Sequence, residues 1–170
     1  MPTASKKNTS DLRKKPWNRV NLPVYSISSN DGKEENMHII TYATAISMQP
    51  KRFVCGVYHG TKTLELVEKK GSFVLQILAK NQARLVTLLG KQSGKKINKI
   101  ERLKKRKLVE EWNGFTVLGD ALAVMLLKVV DTMEGGDHRI FLCDVVAYRN
   151  QHNGSALTTE DLRKAKIIRA

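Results

Sequence analysis

Seven short apolar segments, rich in β-branched and aromatic residues and each closed by polar or turn-forming ones, set what this chain can fold into. They span 22–28, 39–48, 52–58, 72–78, 115–118, 122–131 and 139–148, and their composition and length are those of strands. Alternation is visible in the first: Val24, Ser26 and Ser28 fall on one side, Tyr25 and Ile27 on the other, as a strand with two unlike faces requires. Two helices interrupt the series. Residues 63–70 set Leu64 and Val67 against a charged side and stop at Gly71, the residue type that ends helices in the left-handed conformation. Residues 81–89 open on Asn81, a good cap, and carry Leu85, Leu88 and Leu89 as an apolar stripe. No strand–helix–strand rhythm persists, which argues against a doubly wound parallel sheet. The expectation is a mainly β fold, an antiparallel barrel with small peripheral helices.

A chain of 170 residues makes one domain of ordinary size. Residues 1–19 are polar and basic with Trp17 as their one aromatic, and read as a flexible arm. The folded domain is expected over 20–150, with a basic insertion at 91–111 and a C-terminal extension at 151–170. Thirty Lys and Arg against 16 Asp and Glu give a net charge of +14, which points to an anionic partner. Its distribution narrows that reading. Residues 1–19 carry +5, 91–111 carry +6 and 159–170 carry +2, so the rest of the barrel is nearly neutral. The 91–111 segment spaces Ile97, Ile100, Leu103 and Leu108 as a thin helical stripe and contains no Phe, Tyr or Trp. It reads as a solvated excursion or as an anion-facing patch. A nucleic-acid-binding basic β-barrel is the alternative function, weakened by the absence of rings on which bases could stack.

Cys55 and Cys143 each sit inside an apolar run and are expected as buried free thiols. The N-terminus lacks the apolar stretch of a signal peptide, and the longest strongly apolar run, 121–130, contains Lys128 and is about half the length of a membrane span. A cytoplasmic protein with no membrane contact is expected.

Common catalytic signatures are missing. GxGxxG, GxSxG and a complete phosphate-binding P-loop do not occur. His38, His59, His138 and His152 lack metal-ligand spacing and the cysteines are not paired as CxxC, so no metal site is expected. His38 and His152 read as surface residues, and Trp112 as a cover for a barrel edge. The positive signal is residues 36–78. There His59-Gly60-Thr61-Lys62-Thr63 leads straight into the first helix, so free amides, two hydroxyls and an ammonium can face one anion. Just before it, Thr41, Thr44 and Ser47 offer hydroxyls suited to a flat polar heterocycle, and small Ala43 and Ala45 leave room for it.

Four pieces in order carry a resemblance: Asn36 with Ile40-Thr41-Tyr42-Ala43 and Ile46-Ser47-x-x-Pro50; Gly60-Thr61-Lys62-Thr63; Gly71-Ser72-Phe73-Val74-Leu75-Gln76-Ile77-Leu78; and Gly136-Asp137-His138-Arg139-Ile140-Phe141. Together, over about 20–148, they resemble the flavin reductase-like family with its FMN-binding split barrel. The resemblance implies a split β-barrel of six or seven strands, usually a homodimer, holding FMN or in some members FAD near the dimer interface. It implies that Ile40, Thr41, Tyr42, Ala43, Thr44 and Ser47 line the flavin ring and ribityl chain, and that His59, Thr61, Lys62 and Thr63 hold the phosphate. It also implies that His138 orients an incoming nicotinamide, NAD(P)H being the electron donor of a flavin oxidoreductase. A flavin electron carrier without turnover would use the same contacts. The chain departs from the family pattern at Met48-Gln49-Pro50, where Asp-Pro-Pro is frequent, and in the length of its basic segment.

Overall fold

The computed structural model describes residues 14–169. Most of the arm expected over 1–19 therefore lies outside the described residues; within them, Pro16–Asn18 form one 3-10 turn and Trp17 is exposed. Nine strands follow: β1 Tyr25–Asn30, β2 Glu35–Ile40, β3 Ala43–Ser47, β4 Arg52–Tyr58, β5 Ser72–Ile77, β6 Val109–Trp112, β7 Phe115–Leu118, β8 Ala123–Glu134 and β9 His138–Asn150. Four helices join them: α1 Lys62–Lys70, α2 Leu85–Lys91, α3 Lys99–Lys105 and α4 Thr159–Lys164.

Seven strands make one antiparallel sheet in the order β2-β1-β5-β8-β9-β4-β3, with β6 and β7 forming a separate hairpin. The connectivity forces the sheet to roll. Its outermost strands, β2 and β3, are consecutive in the chain and joined only by Thr41 and Tyr42. Three peptide steps reach at most about 11 Å, so the two edges must meet although they do not pair. The result is a mainly β, antiparallel split barrel with small helices around it.

Both faces of the rolled sheet are buried in places. On β5, Phe73 and Leu75 point into a cluster with Ile27, Ile40, Cys55, Val57, Leu127, Phe141 and Cys143, capped by Leu64 and Val67 of α1. Val74 and Leu78 point the other way, into a layer built with α2, α3, the β6–β7 hairpin and Leu162 of α4. The two thiols are free and buried, and burial pushes both up, out of the range in which they ionise.

Three local readings are corrected. Residues 39–48 do not form one strand; the chain breaks after Ile40 and restarts at Ala43 on the opposite edge. Asn81 does not cap a helix over 81–89. It lies in a 3-10 turn, Lys80–Gln82, where the Gln82 side chain accepts from the Ala79 amide at 2.9 Å, and α2 begins later at Leu85. The sheet does hold seven strands, but 115–118 is not among them; it pairs with β6, which the apolar pattern does not show. The C-terminal residues pack onto the barrel through buried Leu157 and Leu162 and a bridge from Pro23 to Thr158. Among the described residues, no helix is long and apolar enough to cross a membrane.

Candidate active site

The turn between β8 and β9 is built from Gly135, Gly136 and Asp137. Gly136 has φ 85°, where a side chain is strained, and a Cβ on Gly135 would fall 2.6 Å from Ile140 Cγ1, so both positions favour glycine. This tight turn delivers His138 as the first residue of β9, directly opposite Tyr58 at the end of β4. The His138 ring stands edge-on to Tyr58 at 5.2 Å and to Tyr42 at 5.1 Å between centroids. Its Nδ1 is 2.6 Å from Asp137 Oδ1. A carboxylate only accepts, so Nδ1 carries the proton and Nε2 faces away from Asp137. Tyr42 and Tyr58 are 59% and 52% exposed while the His138 side chain is 18% exposed, so the ring platform is open at its two tyrosines and holds the imidazole half-buried against them.

Gly56 makes this platform possible. Its amide donates to the Tyr42 carbonyl at 2.7 Å, and a Cβ there would meet Tyr42 Cβ at 3.3 Å and His138 Cδ2 at 3.7 Å. A glycine inside a strand marks such a close approach.

Beside the platform, β4 runs through His59 and Gly60 into α1. Thr61 caps the helix: its hydroxyl accepts from the Leu64 amide at 3.2 Å and donates to the Tyr58 carbonyl at 2.9 Å. The first-turn amides of Lys62 and Thr63 are donors that a helix leaves unsatisfied. The side chains expected around an anion divide. Thr61 and Lys62 line a cleft; Thr63 is fully buried and accepts from Asn36 Nδ2 at 2.9 Å. His59 turns the other way, its Nε2 3.2 Å from Glu134. Lys62 lies 3.0 Å from Glu34 across the cleft's edge.

The cleft has a volume of about 410 Å³ and is closed on its far side by the end of α2 and the residues just after it, Gly90 to Gly94, with Asn36, His38 and Tyr58 completing it. No carboxylate lines it. His38, expected at the surface, is part of this wall. Behind it lies Lys99, fully buried, its Nζ donating to the Leu89 carbonyl at 2.6 Å. Burial pushes the Lys99 ammonium down to about 8. Burial and the nearby Lys99 charge lower His38 to about 4, so its ring is neutral at pH 7.

The strand expected to hold a heterocycle is an edge. β3 pairs with β4 alone, and its other side presents unpaired backbone groups. Ile40 is buried in the barrel core; Thr41, Ala43 and Ser47 are half-buried, and Thr44 is exposed. The structure thus gathers Tyr42, Tyr58 and His138 at one spot, Thr61 and Lys62 at the next, and the β3 edge alongside. Among the described residues, no three His, Cys, Asp or Glu side chains converge as metal ligands would.

Comparison with known proteins decides the kinship. Residues 17–164 match the flavin reductase like domain. The chain belongs to the flavin reductase-like family. An uncharacterised protein of Pyrococcus abyssi is 30% identical over 129 residues, which are 75% of this chain and 73% of that protein. Among solved structures, an FMN-binding protein from Thermus thermophilus superposes with a TM-score of 0.71 at 21% identity, over 81% of this chain and 75% of that one. A native-state flavin reductase gives 0.71 and 21% over 88% and 92%. The flavin reductase component of a bacterial two-component tryptophan halogenase gives 0.73 and 17% over 84% and 88%. For a member of the flavin reductase-like family, the residues hardest to find from sequence were Gly56, Tyr58, His38 and Lys99. Only Gly56, a glycine inside an apolar run, carried a signal.

Proposed function

We propose that this protein is a flavin oxidoreductase: it holds FMN, or FAD, receives hydride from NAD(P)H and passes electrons to an acceptor. The observation that carries the reading is the continuity at Tyr58, which belongs both to the exposed ring platform and to the carboxylate-free cleft at the start of α1. A flat ring and an attached phosphate need those two surfaces side by side. The bound flavin would supply the hydride and electron chemistry; the protein supplies placement. The amides of Lys62 and Thr63, with the Lys62 ammonium, would hold the phosphate. The free edge of β3 and the half-buried Thr41 and Ser47 would meet the polar edge of the ring. His138, its Nδ1 fixed by Asp137, would present Nε2 to the carboxamide of a nicotinamide stacked on the open side.

Hydride transfer needs its two reacting atoms about 3 to 3.5 Å apart, and an exposed platform lets two flat rings stack to that distance. We propose also that the protein works as a homodimer. Exposed Ile46 and Met133 with Val54, Ile140 and Leu142 form an apolar recess on the outside of β3, β4, β8 and β9, and a second copy would cover it. Four basic side chains of the 91–111 segment are withdrawn from a phosphate-facing surface, which weakens the nucleic-acid reading: Lys95 pairs with Glu65, Lys104 with Glu35 and Lys105 with Glu101, and Lys99 is buried.

An absorption spectrum of the purified protein, with FMN or FAD added if it is colourless, tests the reading. The flavin band should bleach when NADH or NADPH is added without oxygen. No uptake of either flavin would refute the proposal; uptake without bleaching would leave an electron carrier.

A further inference from the structure

We propose that the two terminal basic segments together build a site for a free oligophosphate, a ligand with at least two linked phosphate groups. The positive charge of residues 1–19 and 159–170 plays no part in the flavin reading, and the fold brings the described parts of both segments to one place. The Leu22 amide donates to Thr159 Oγ1 at 3.1 Å, and the Thr159 amide donates to the Leu22 carbonyl at 2.8 Å. Asn21 Oδ1 accepts from the Glu160 amide at 2.9 Å. Where the segments meet lies a groove of about 360 Å³, lined by Lys14, Asn18, Arg19, Asn21, Glu160 and Arg163. It shares no residue with the ring platform or with the cleft at the start of α1.

The lining has the chemistry of a phosphate site. A guanidinium presents five donors in a planar fork that matches two phosphate oxygens at once. Arg163 is half-buried and spends one donor on Thr159 Oγ1, at 3.5 Å; Arg19 is exposed at the other segment. The carboxylates of α4 are matched by lysines, Glu160 by Lys164 at 2.7 Å and Asp161 by Lys80 at 3.0 Å, so neither guanidinium has an acidic partner among the described residues. Asn21 has its Oδ1 committed to α4, which leaves Nδ2 as the end that donates to a ligand. The groove is larger than one phosphate and falls within the roughly 300–1,000 Å³ of small-molecule sites. Two guanidinium groups from different segments suit charge spread over linked phosphates. No aromatic side chain lines the groove, so it offers bases nothing to stack on, which favours a free ligand over a nucleic-acid strand.

Isothermal titration of the full chain with inorganic triphosphate, at about 0.1 M salt, tests the site. Orthophosphate, citrate and a short single-stranded DNA serve as comparisons. One triphosphate should bind per chain, about tenfold tighter than orthophosphate or citrate. Arg19→Gln and Arg163→Gln should each weaken it about fivefold, and the double variant should reduce it to the level of orthophosphate. Lys166→Gln, outside the groove on the same segment, should change nothing. Should the half-buried Arg163 prove necessary for folding, the exposed Arg19 still decides, because Arg19→Gln should keep the wild-type melting temperature and lose affinity. Absence of triphosphate binding overturns the proposal. So does binding that survives Arg19→Gln, which would place the anion at Lys62 and Lys91, and so does an equal loss with Lys166→Gln, which would make it diffuse surface charge. Citrate binding as tightly as triphosphate, or DNA binding more tightly, overturns the choice of ligand. None of these outcomes bears on flavin uptake.

Discussion

Lys99 is the residue whose environment is furthest from its chemistry. It is buried without a carboxylate partner, and its ammonium has a single acceptor, the Leu89 carbonyl. Burial lowers its pKa from 10.5 to about 8, so between those values the unfolded chain holds a proton that the folded one releases. Stability therefore rises with pH across that window, and the cost of burying the charge is fully present below about 8. Lys99→Met removes the charge but leaves the Leu89 carbonyl unsatisfied, so the variant is expected to match the wild type near neutral pH. The comparison across pH decides. Denaturant melts should show the wild type gaining roughly 2 kcal/mol on the variant between pH 7.5 and 9.5, and parallel curves would show that Lys99 is solvated. His38 produces an effect of the same sign on the acid side. Its folded pKa of about 4 lies below the ordinary 6.5, so stability falls as pH drops from 6.5 towards 4 and the unfolded chain takes up a proton the folded one refuses.

At the scale of elements, β4 sets the site because Gly56 lets Tyr42 cross it. A methyl there would press on Tyr42 Cβ at 3.3 Å and approach His138 Cδ2 at 3.7 Å. In extended backbone, alanine is favoured over glycine by about 0.5–1 kcal/mol. Gly56→Ala should therefore keep or slightly raise the melting temperature while weakening FMN binding several-fold. Unchanged FMN affinity would separate the ring platform from the flavin. Much at this scale was legible in the sequence. Helix α1 announced its end at Gly71, which has φ 69° and donates its amide to Val67, and its apolar side, Leu64 and Val67, does cap the barrel core. The β2–β3 break was not legible, because Thr41-Tyr42 contains neither Gly nor Pro and both flanking segments are apolar. Strand β6 was hidden by exposed Glu110 and Glu111 in its middle. Lys99 was indistinguishable from its solvated neighbours, since its burial comes from packing against β2, some sixty residues earlier, and against the end of α2, whose Leu89 carbonyl it reaches. The candidate-site residues that sequence patterns suggest, such as His138 and Thr61, sit at turns and helix starts; those supplied by long-range packing leave no local trace.

For the whole molecule, the +14 net charge resolves into structure, site and surface. Part of the basic segment is absorbed by the acidic side chains of α1, β2 and α3, and its first residues, Lys91 to Gly94, form one wall of the cleft. The lining of that cleft carries Lys62 and Lys91 and no carboxylate, and because Lys62 is paired with Glu34 at the edge, the excess positive charge there comes from Lys91 and from buried Lys99 behind the wall. Mobile ions screen the field of that charge over about 10 Å at 0.1 M salt and about 3 Å at 1 M. An anionic ligand should feel this and a neutral one should not. FMN affinity is expected to fall several-fold as sodium chloride rises from about 0.05 to 0.5 M, while riboflavin, which has the same ring and no phosphate, stays nearly constant. Titrations of both ligands by fluorescence quenching across the series measure the difference. Equal salt responses would mean that the phosphate lies away from the cleft and that the charge of 91–111 serves another surface. A response confined to FMN would tie the phosphate to the one region where the chain's excess charge and its ring platform adjoin.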